Sequence, residues 1–162
     1  MGRVKFCMDA GTGTKTEIDP ETTARAMAYE LHISPKHALE VCRAIKGKKV
    51  EEAETYLEAV LEKRVAIPFK RHKKKVAHRR GLKKWYSGRY PVKASAEILK
   101  LIRGAKGNAE YKGFDPDTMR IWHVATKKGR TIKGSMARAF GRSTPKNTDT
   151  VTIEMILKEE GS

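Results

Sequence analysis

The sequence predicts an α+β fold. Three stretches repeat apolar residues at helical spacing, and two later stretches alternate apolar and polar residues as strands do. The last two strands are separated by a long basic stretch, which would form a two-stranded arm if both strands continued into it. A chain of 162 residues is about the size of one domain, and we expect residues 21–162 to form it.

The chain begins with a segment that carries no structural pattern. Residues 1–20 are rich in Gly and Thr and lack periodicity, so we expect a flexible extension. Tyr29 to Ile33 alternates weakly and is predicted as a short strand. Ser34 and Pro35 mark a helix start, because Ser caps free backbone N–H groups and Pro lacks one. This first helix is predicted to run from Pro35 to Lys46 and to stop at Gly47.

Two further helices are predicted by the same criterion. Apolar residues from Val50 to Leu61 recur at helical spacing, and the first turn is acidic, which the helix dipole favours. Val92 to Tyr111 shows mixed three- and four-residue steps and is predicted as a third helix. Gly104 and Gly107 weaken its second half by about 1 kcal/mol each relative to Ala.

The two alternating stretches are predicted as strands. In the first, Met119, Ile121, His123 and Ala125 share one face. In the second, Val151, Ile153, Met155 and Leu157 alternate with Thr150, Thr152, Glu154 and Ile156. If about a dozen residues per strand continued into the segment between them, the arm would project roughly 30–40 Å. An isolated ribbon of that length is marginal in water, so we expect a partner to stabilise it.

The net charge of +16 is concentrated in two segments. Residues 63–96, which we call the basic insert, contain 13 Lys and Arg residues, residues 120–148 contain 8, and neither segment contains Asp or Glu. The remaining 99 residues carry 14 basic and 19 acidic groups, a net charge of −5. So many unbalanced cations imply a polyanionic partner, and nucleic acid is the leading candidate.

Aromatic residues are interleaved with the cations of the basic insert, namely Phe69, Trp85, Tyr86 and Tyr90. Cations neutralise phosphates, and aromatic or guanidinium planes stack on unpaired bases. The alternative is a charged loop that is merely solvated. We favour RNA over DNA because no helix-turn-helix, basic zipper or zinc finger is visible.

The sequence contains no pattern that predicts catalysis, a metal or a cofactor. The five His residues lack zinc-ligand spacing, and Gly11 to Thr16 resembles a phosphate-binding loop only superficially. Cys7 and Cys42 are too few for a disulfide framework, which favours a cytosolic protein with free thiols, and no apolar run predicts a membrane span. An RNA-modifying enzyme or nuclease and a DNA-compacting chromatin protein remain alternatives at this point.

Five motifs follow one another along the chain. They are Leu31-His-Ile-Ser-Pro-Lys-His-Ala, Ala66-Ile-Pro-Phe-Lys-Arg, Gly88-Arg-Tyr-Pro-Val-Lys, Asn108-Ala-Glu-Tyr-Lys-Gly and Arg138-Ala-Phe-Gly-Arg-Ser-Thr-Pro-Lys. In this order they resemble the universal large-subunit ribosomal protein L twenty-two family, called L seventeen in eukaryotes. The resemblance extends from about Asp19 to Glu159, and the insert is similar to the archaeal and eukaryotic branch, with the archaeal type preferred.

The resemblance implies both an architecture and a role. Three helices would pack on a small antiparallel sheet, and a long β-hairpin arm would protrude. The chain would be a non-enzymatic structural constituent of the large ribosomal subunit in the cytoplasm. It would bind rRNA and neighbouring ribosomal proteins, support subunit assembly, and line the nascent-polypeptide exit tunnel with its arm, without a membrane or a small-molecule substrate.

The residues expected to bind rRNA lie in the two acid-free segments. In the basic insert they are Arg64, Lys70, Arg71, Lys73, Lys74, Lys75, His78, Arg79, Arg80, Lys83, Lys84, Trp85, Arg89 and Lys93. On the arm they are Lys127, Lys128, Arg130, Lys133, Arg138, Arg142 and Lys146, which have no acidic partner within the arm.

The resemblance also places a short segment at the tip of the arm, facing the nascent polypeptide. It consists of Ile132, Lys133, Gly134, Ser135, Met136 and Ala137. Gly134 is expected to adopt a positive φ there and to permit a tight reversal of the chain.

Overall fold

The computed structural model describes residues 22–82 and 84–159. The predicted extension, Cys7 and Lys83 lie outside the described residues. The elements are, in chain order, β1 (Thr23–Leu31), α1 (Pro35–Ile45), α2 (Val50–Leu61), β2 (Ile67–Pro68), β3 (Gly88–Arg89), α3 (Val92–Tyr111), β4 (Met119–Ile132), β5 (Ser135–Ala137), β6 (Ser143–Pro145) and β7 (Thr148–Glu159).

An antiparallel sheet in the order β1-β7-β4 supports the three helices. The central strand β7 pairs with β1 from Thr23–Lys158 to Leu31–Val151 and with β4 from Met119–Glu159 to Ile132–Thr148. Helix α3 packs on β1 and β7, α1 packs on β4, and α2 packs on α3. This arrangement confirms the predicted α+β fold of three helices on a small antiparallel sheet.

The core lies between the sheet and the helices. Alternate residues of β7, from Val151 to Leu157, pack into one cluster with the buried faces of all three helices. Phe69 joins the cluster from the basic insert and is only 2% exposed. The insert is therefore attached to the core at this point. No helix among the described residues is long and apolar enough to cross a membrane.

Strand β1 begins well before the predicted strand at Tyr29 to Ile33. Its inward-facing residues include Ala24, Ala26 and Ala28, which pack into the core next to α3. Alanine is depleted in strands, so this stretch gave no strand signal in the sequence. Small side chains suit the site because α3 lies close, as shown by Asn108 Nδ2, which donates to the backbone oxygen of Arg25 at 3.0 Å.

A bulge in β4 changes which side chains face the core. The pairing with β7 shifts register between Ile121 and His123. The prediction that His123 shares the inward face of Ile121 is therefore wrong, because an extra residue reverses the alternation. Val124 is buried at 7% exposure instead, and His123 lies on the opposite face, where its Nε2 is 3.3 Å from Glu154 Oε1.

The helices agree closely with their predicted bounds. Helix α3 spans the predicted Val92–Tyr111, and α1 ends one residue early, at Ile45. Gly47 has the predicted positive φ, of 82°, and its N–H donates to the Ile121 oxygen of β4 at 2.8 Å. Ser34 takes the extended N-cap conformation, but its side chain makes no capping hydrogen bond, contrary to the prediction.

Strands β4 and β7 continue beyond the core into an exposed hairpin arm. Every residue from Thr131 to Thr148 is exposed, and β5 pairs with β6 within this stretch. The turn is closed by the Arg138 N–H, which donates to the Arg142 oxygen at 2.8 Å. Phe140 and Gly141 occupy the turn with φ values of 57° and 66°. The arm thus reverses at residues 139–141.

The predicted reversal at Gly134 is wrong. The φ of Gly134 is not positive, and its backbone oxygen accepts the Lys146 N–H at 2.7 Å across the hairpin. A Cβ atom at this position would lie 2.8 Å from the Lys146 oxygen. Gly134 is therefore required by the close approach of the two chains, and the residues predicted as the tip lie on the side that leads into the turn.

Candidate nucleic-acid interface

The basic insert is folded rather than a free loop. Strand β2 pairs antiparallel with β3, and Trp85 Nε1 donates to the backbone oxygen of the buried Phe69 at 2.9 Å. Further along, the Arg79 N–H donates to the Tyr86 oxygen at 2.8 Å, and the Gly88 N–H donates to the Ala77 oxygen at 3.2 Å. These bonds join the two halves of the insert and fix its path over the core.

Glu40 of α1 fastens one end of the insert. Its Oε1 accepts the N–H groups of Arg71 and His72, each at 2.8 Å, and its Oε2 accepts the N–H of Lys70 at 3.1 Å. The Glu40 residue is only 1% exposed. A carboxylate that accepts several backbone N–H groups is a charge-assisted and well-satisfied arrangement.

The aromatic residues of the insert contact one another. Trp85 stacks on Tyr86 with ring centroids 5.2 Å apart, and His78 meets Tyr86 edge-on at 5.0 Å. Lys73 Nζ lies 5.8 Å from the Trp85 ring. Trp85, predicted to bind RNA, is thus half-buried and already engaged within the insert, and Tyr86 is the more exposed of the stacked pair.

The cations of the insert point outwards. Arg64 forms an ion pair with Glu62, and Lys83 lies outside the described residues. The other predicted cations are exposed and have no ion pair with any residue that the structure describes: Lys70, Arg71, Lys73, Lys74, Lys75, Arg79, Arg80, Lys84, Arg89 and Lys93. Their charge is available to a polyanion.

Several of these cations meet the start of α1 at a cleft of about 340 Å³, which we call the insert cleft. No acidic side chain lines it. Its polar lining consists of Lys36, His37, Arg71, His72, Lys74 and Arg89. Burial, followed by the neighbouring charges of Arg89 and His72, lowers the pKa of His37 below its usual value.

A second cleft, the arm-root cleft, joins the insert to the arm. Lys36, Arg71 and His72 line this cleft as well, together with Lys127 and Lys128 at the base of the arm. The two acid-free segments are far apart in sequence, and here they meet beside the first turn of α1, whose free N–H groups also favour anions. We call the insert cleft and the arm-root cleft together the basic junction.

The cations at the base of the arm are paired, which corrects the expectation that they lack acidic partners. Lys127 Nζ lies 2.9 Å from Glu154 Oε2, and Lys128 Nζ lies 3.1 Å from Asp149 Oδ1. Arg130 reaches Glu30 of β1 at 3.1 Å. The partners come from β1 and β7, outside residues 120–148. These pairs reduce the net charge that the arm base offers to phosphates.

The outer arm retains unpaired charge. Lys133, Arg138, Arg142 and Lys146 are exposed, and none forms an ion pair within the described part of the chain. Phe140 is 97% exposed at the turn, between two of these cations. The six residues predicted as the tip are all exposed, on the chain that precedes the turn.

Three residues of this surface were missed by sequence reasoning. Lys36 and His37 lie in a motif that was interpreted only as a helix start, although the spacing of Lys and His after Pro35 places them in the first turn of α1. Phe140 lies between Arg138 and Arg142, and this cation-aromatic pattern was a signal of the same kind as in the insert.

The described residues show neither a metal-binding cluster nor a reactive thiol. They contain no group of three or more His, Cys, Asp or Glu side chains that could hold a metal ion. Burial raises the pKa of the Cys42 thiol to about 12, so it is a poor nucleophile. Fold and charge therefore define a class: a small basic α+β protein with two cationic appendages that meet at one junction.

Comparison with known proteins identifies the family. Residues 26–158 match the model of ribosomal protein L22p/L17e. A protein of Archaeoglobus fulgidus named large ribosomal subunit protein uL22 is 56% identical over 86% of this chain and 90% of its own length. A protein of Methanocaldococcus jannaschii with the same name is 50% identical over 98% of this chain and 97% of its own length. The chain belongs to the ribosomal protein L22p/L17e family, of the archaeal type, and is a structural ribosomal protein rather than an enzyme.

Proposed function

We propose that this chain is a structural constituent of the large ribosomal subunit in the cytoplasm, where it binds rRNA and supports assembly of the subunit. The observation that carries the proposal is the basic junction, where the insert and the arm meet with no acidic side chain in the insert cleft. The names of its archaeal relatives supply the subunit.

The insert is suited to a folded RNA. Its cations are exposed on a backbone that hydrogen bonds hold in place, so the distances between the cations are fixed. Such a surface can match the phosphate spacing of a folded RNA. A preformed surface loses less conformational entropy on binding than a mobile one. This favours shape-specific binding to a particular rRNA region, and the remaining affinity comes from counterion release.

The arm is proposed to reach further into the subunit and to line the nascent-polypeptide exit tunnel. The outer cations Lys133, Arg138, Arg142 and Lys146 would hold the arm on rRNA. The segment from Ile132 to Ala137 would then face the passing polypeptide, and its three small residues, Gly134, Ser135 and Ala137, would leave room for the chain. Neighbouring ribosomal proteins would contact the remaining surface.

Binding of the purified chain to a large-subunit rRNA fragment tests the rRNA part of this proposal. Arg71 lines both clefts of the basic junction, so Arg71→Glu should weaken binding by more than tenfold, whereas Arg103→Glu on α3 should change it little. Equal effects of the two variants would contradict the role of the junction.

A photo-crosslinker at Ser135 in assembled ribosomes tests the tunnel part. We expect crosslinks to a labelled nascent peptide over a range of chain lengths. Crosslinks to rRNA alone would contradict a tip segment that faces the tunnel and would leave rRNA binding by the arm intact.

A further inference from the structure

Glu40 is an acidic residue in the middle of a surface built from cations. It belongs to α1, is buried, and accepts hydrogen bonds from insert residues, two of which line both clefts of the basic junction. Its charge alone opposes a polyanionic partner, because like charges repel through the protein as well as through water. The interaction of its charge with the RNA therefore gives no reason for an acid at this position.

The hydrogen bonds of Glu40 do give a reason for an acid at this position. Both carboxylate oxygens are used, and the donors are three consecutive backbone N–H groups, those of Lys70, Arg71 and His72. Because the donors are backbone atoms, the bonds fix the direction of the chain itself. Of the three side chains on this piece of backbone, those of Arg71 and His72 line both clefts of the junction.

Neighbouring contacts fix the same stretch from its other side. Phe69, which precedes Lys70, is buried in the core, and its backbone oxygen accepts the Nε1–H of Trp85 at 2.9 Å. The Phe69 ring also meets His37 of α1 edge-on at 5.4 Å. Because Phe69 is fixed in the core, the hydrogen bonds of Glu40 set the backbone direction of residues 70–72, which follow it.

We infer that Glu40 is a positioning residue for RNA binding: its buried carboxylate holds the backbone of Lys70 to His72, so that Arg71 and His72 are presented at the basic junction. This inference rests on the proposed function. Without the hydrogen bonds to Glu40, these side chains would have to be ordered when the RNA binds. This entropy cost lowers affinity even where the negative charge of Glu40 has been removed.

Two substitutions separate position from charge. Glu40→Asp keeps the charge, but its side chain is one methylene shorter and falls about 1.5 Å short of the N–H groups. Glu40→Gln removes the charge and keeps the length, but its amide nitrogen is a donor and cannot accept the N–H of Lys70. Simple electrostatics predicts unchanged affinity for the first variant and tighter binding for the second. The positioning role predicts weaker binding for both.

The test measures the affinity of the full chain for a large-subunit rRNA fragment at several salt concentrations. Denaturant titration first establishes a temperature at which every variant is folded. We expect both Glu40 variants to bind about tenfold more weakly. Amide hydrogen exchange should quicken at Lys70, Arg71 and His72. Glu58→Gln, which removes an exposed acid of α2, should bind as tightly as the wild type or slightly more tightly.

A double-mutant cycle with Arg71→Ala distinguishes positioning from general destabilisation. If Glu40 acts by presenting Arg71, then Arg71→Ala should cost clearly less affinity in the Glu40→Asp background than in the wild type. Additive losses, unchanged affinity of both Glu40 variants, or unchanged exchange at residues 70–72 would each overturn the inference while rRNA binding by the wild type still stands. A wild-type chain that does not bind the rRNA fragment would contradict the proposed function and the inference together.

Discussion

His37 lies where the first turn of α1 meets the basic insert, and positive groups surround it. Lys36, Arg71, His72, Lys74 and Arg89 line the same cleft. Burial and the charges of Arg89 and His72 lower its pKa, so the imidazole of the free protein is neutral near pH 7. A phosphate bound in the cleft would offset this repulsion and favour the protonated ring.

RNA binding should therefore take up a proton at His37. Because the bound state holds the proton more tightly than the free state, affinity should rise as the pH falls from about 7 through the usual imidazole range near 6.5, by at most about tenfold per pH unit for one proton. Titrations at constant salt measure this. His37→Gln should lose much of the pH dependence, whereas His32→Gln, outside the clefts, should keep it. Identical pH profiles for the two variants would count against a phosphate at His37.

Phe140 is the second residue whose environment predicts a measurable effect. Its ring is almost fully exposed at a turn where its φ is positive, an unusual conformation for a bulky residue, and Arg138 and Arg142 flank it. Stacking on an unpaired base is worth roughly 1–3 kcal/mol. Phe140→Ala should therefore weaken rRNA binding at least several-fold without changing its salt dependence, because the ring carries no charge.

Tyr111→Ala is the matched control, since Tyr111 is 94% exposed at the end of α3. It should leave rRNA affinity unchanged. A Phe140→Ala variant that binds as tightly as Tyr111→Ala would show that the exposed ring does not contact RNA.

At the scale of elements, the lysine run of the insert should account for a defined share of the salt dependence. Each neutralised phosphate contributes roughly 0.7–0.9 to the slope of log K against log salt. Replacement of Lys73, Lys74 and Lys75 by Ala should lower the slope by about 2–3 units. The same change at Lys100 and Lys106 of α3 should leave it unaltered. An unaltered slope in the triple variant would mean that the run is only a solvated face.

Helix α3 offers a prediction about stability. A Cβ atom at Gly107 would meet no neighbouring heavy atom within 4 Å, and the position lies inside the helix. Gly107→Ala should therefore raise the free energy of unfolding by about 0.5–1 kcal/mol. Gly113 follows the helix with a φ of 81°, so Gly113→Ala should lower it instead. Denaturant titration measures both, and the same sign for the two variants would contradict this account of α3.

The sequence predicted those elements whose signal is local. The bounds of α2 and α3 agree with the predictions because their apolar residues recur at helical spacing along the chain itself. The start of strand β1 was predicted too late in the chain because its inward-facing residues are alanines, which give little strand signal. Small side chains are needed there because α3 packs close to the strand. The β4 bulge and the turn at Phe140 also depend on pairing across strands, which a single stretch of sequence does not reveal.

The candidate site was predictable in composition but not in assembly. Most cations of the acid-free segments 63–96 and 120–148 are exposed, most clearly Lys73 to Lys75, whereas Lys127 is partly buried and paired with Glu154. Their convergence at Lys36 and Arg71 depends on how α1, the insert and the arm pack together. The acidic partners of Lys128 and Arg130 come from β7 and β1 for the same reason.

At the scale of the whole molecule, charge and fold are divided between different parts of the chain. The chain outside the two acid-free segments carries a net charge of −5, and the two segments carry all of the excess positive charge. The core holds the insert through Phe69 and Glu40 and holds the arm through β4 and β7. The structure is thus a weakly acidic scaffold that carries two cationic elements in a fixed relation, an arrangement suited to the proposed binding of rRNA.

The most direct test of the central claim is fractionation of a lysate of the source cells on a sucrose gradient, with the chain quantified against large-subunit rRNA after a wash in moderate salt. A structural constituent that is clamped by many phosphate contacts should remain with the large subunit at a constant, stoichiometric ratio. Release to the top of the gradient, or a ratio far below stoichiometric in washed large subunits, would contradict a structural role in the subunit.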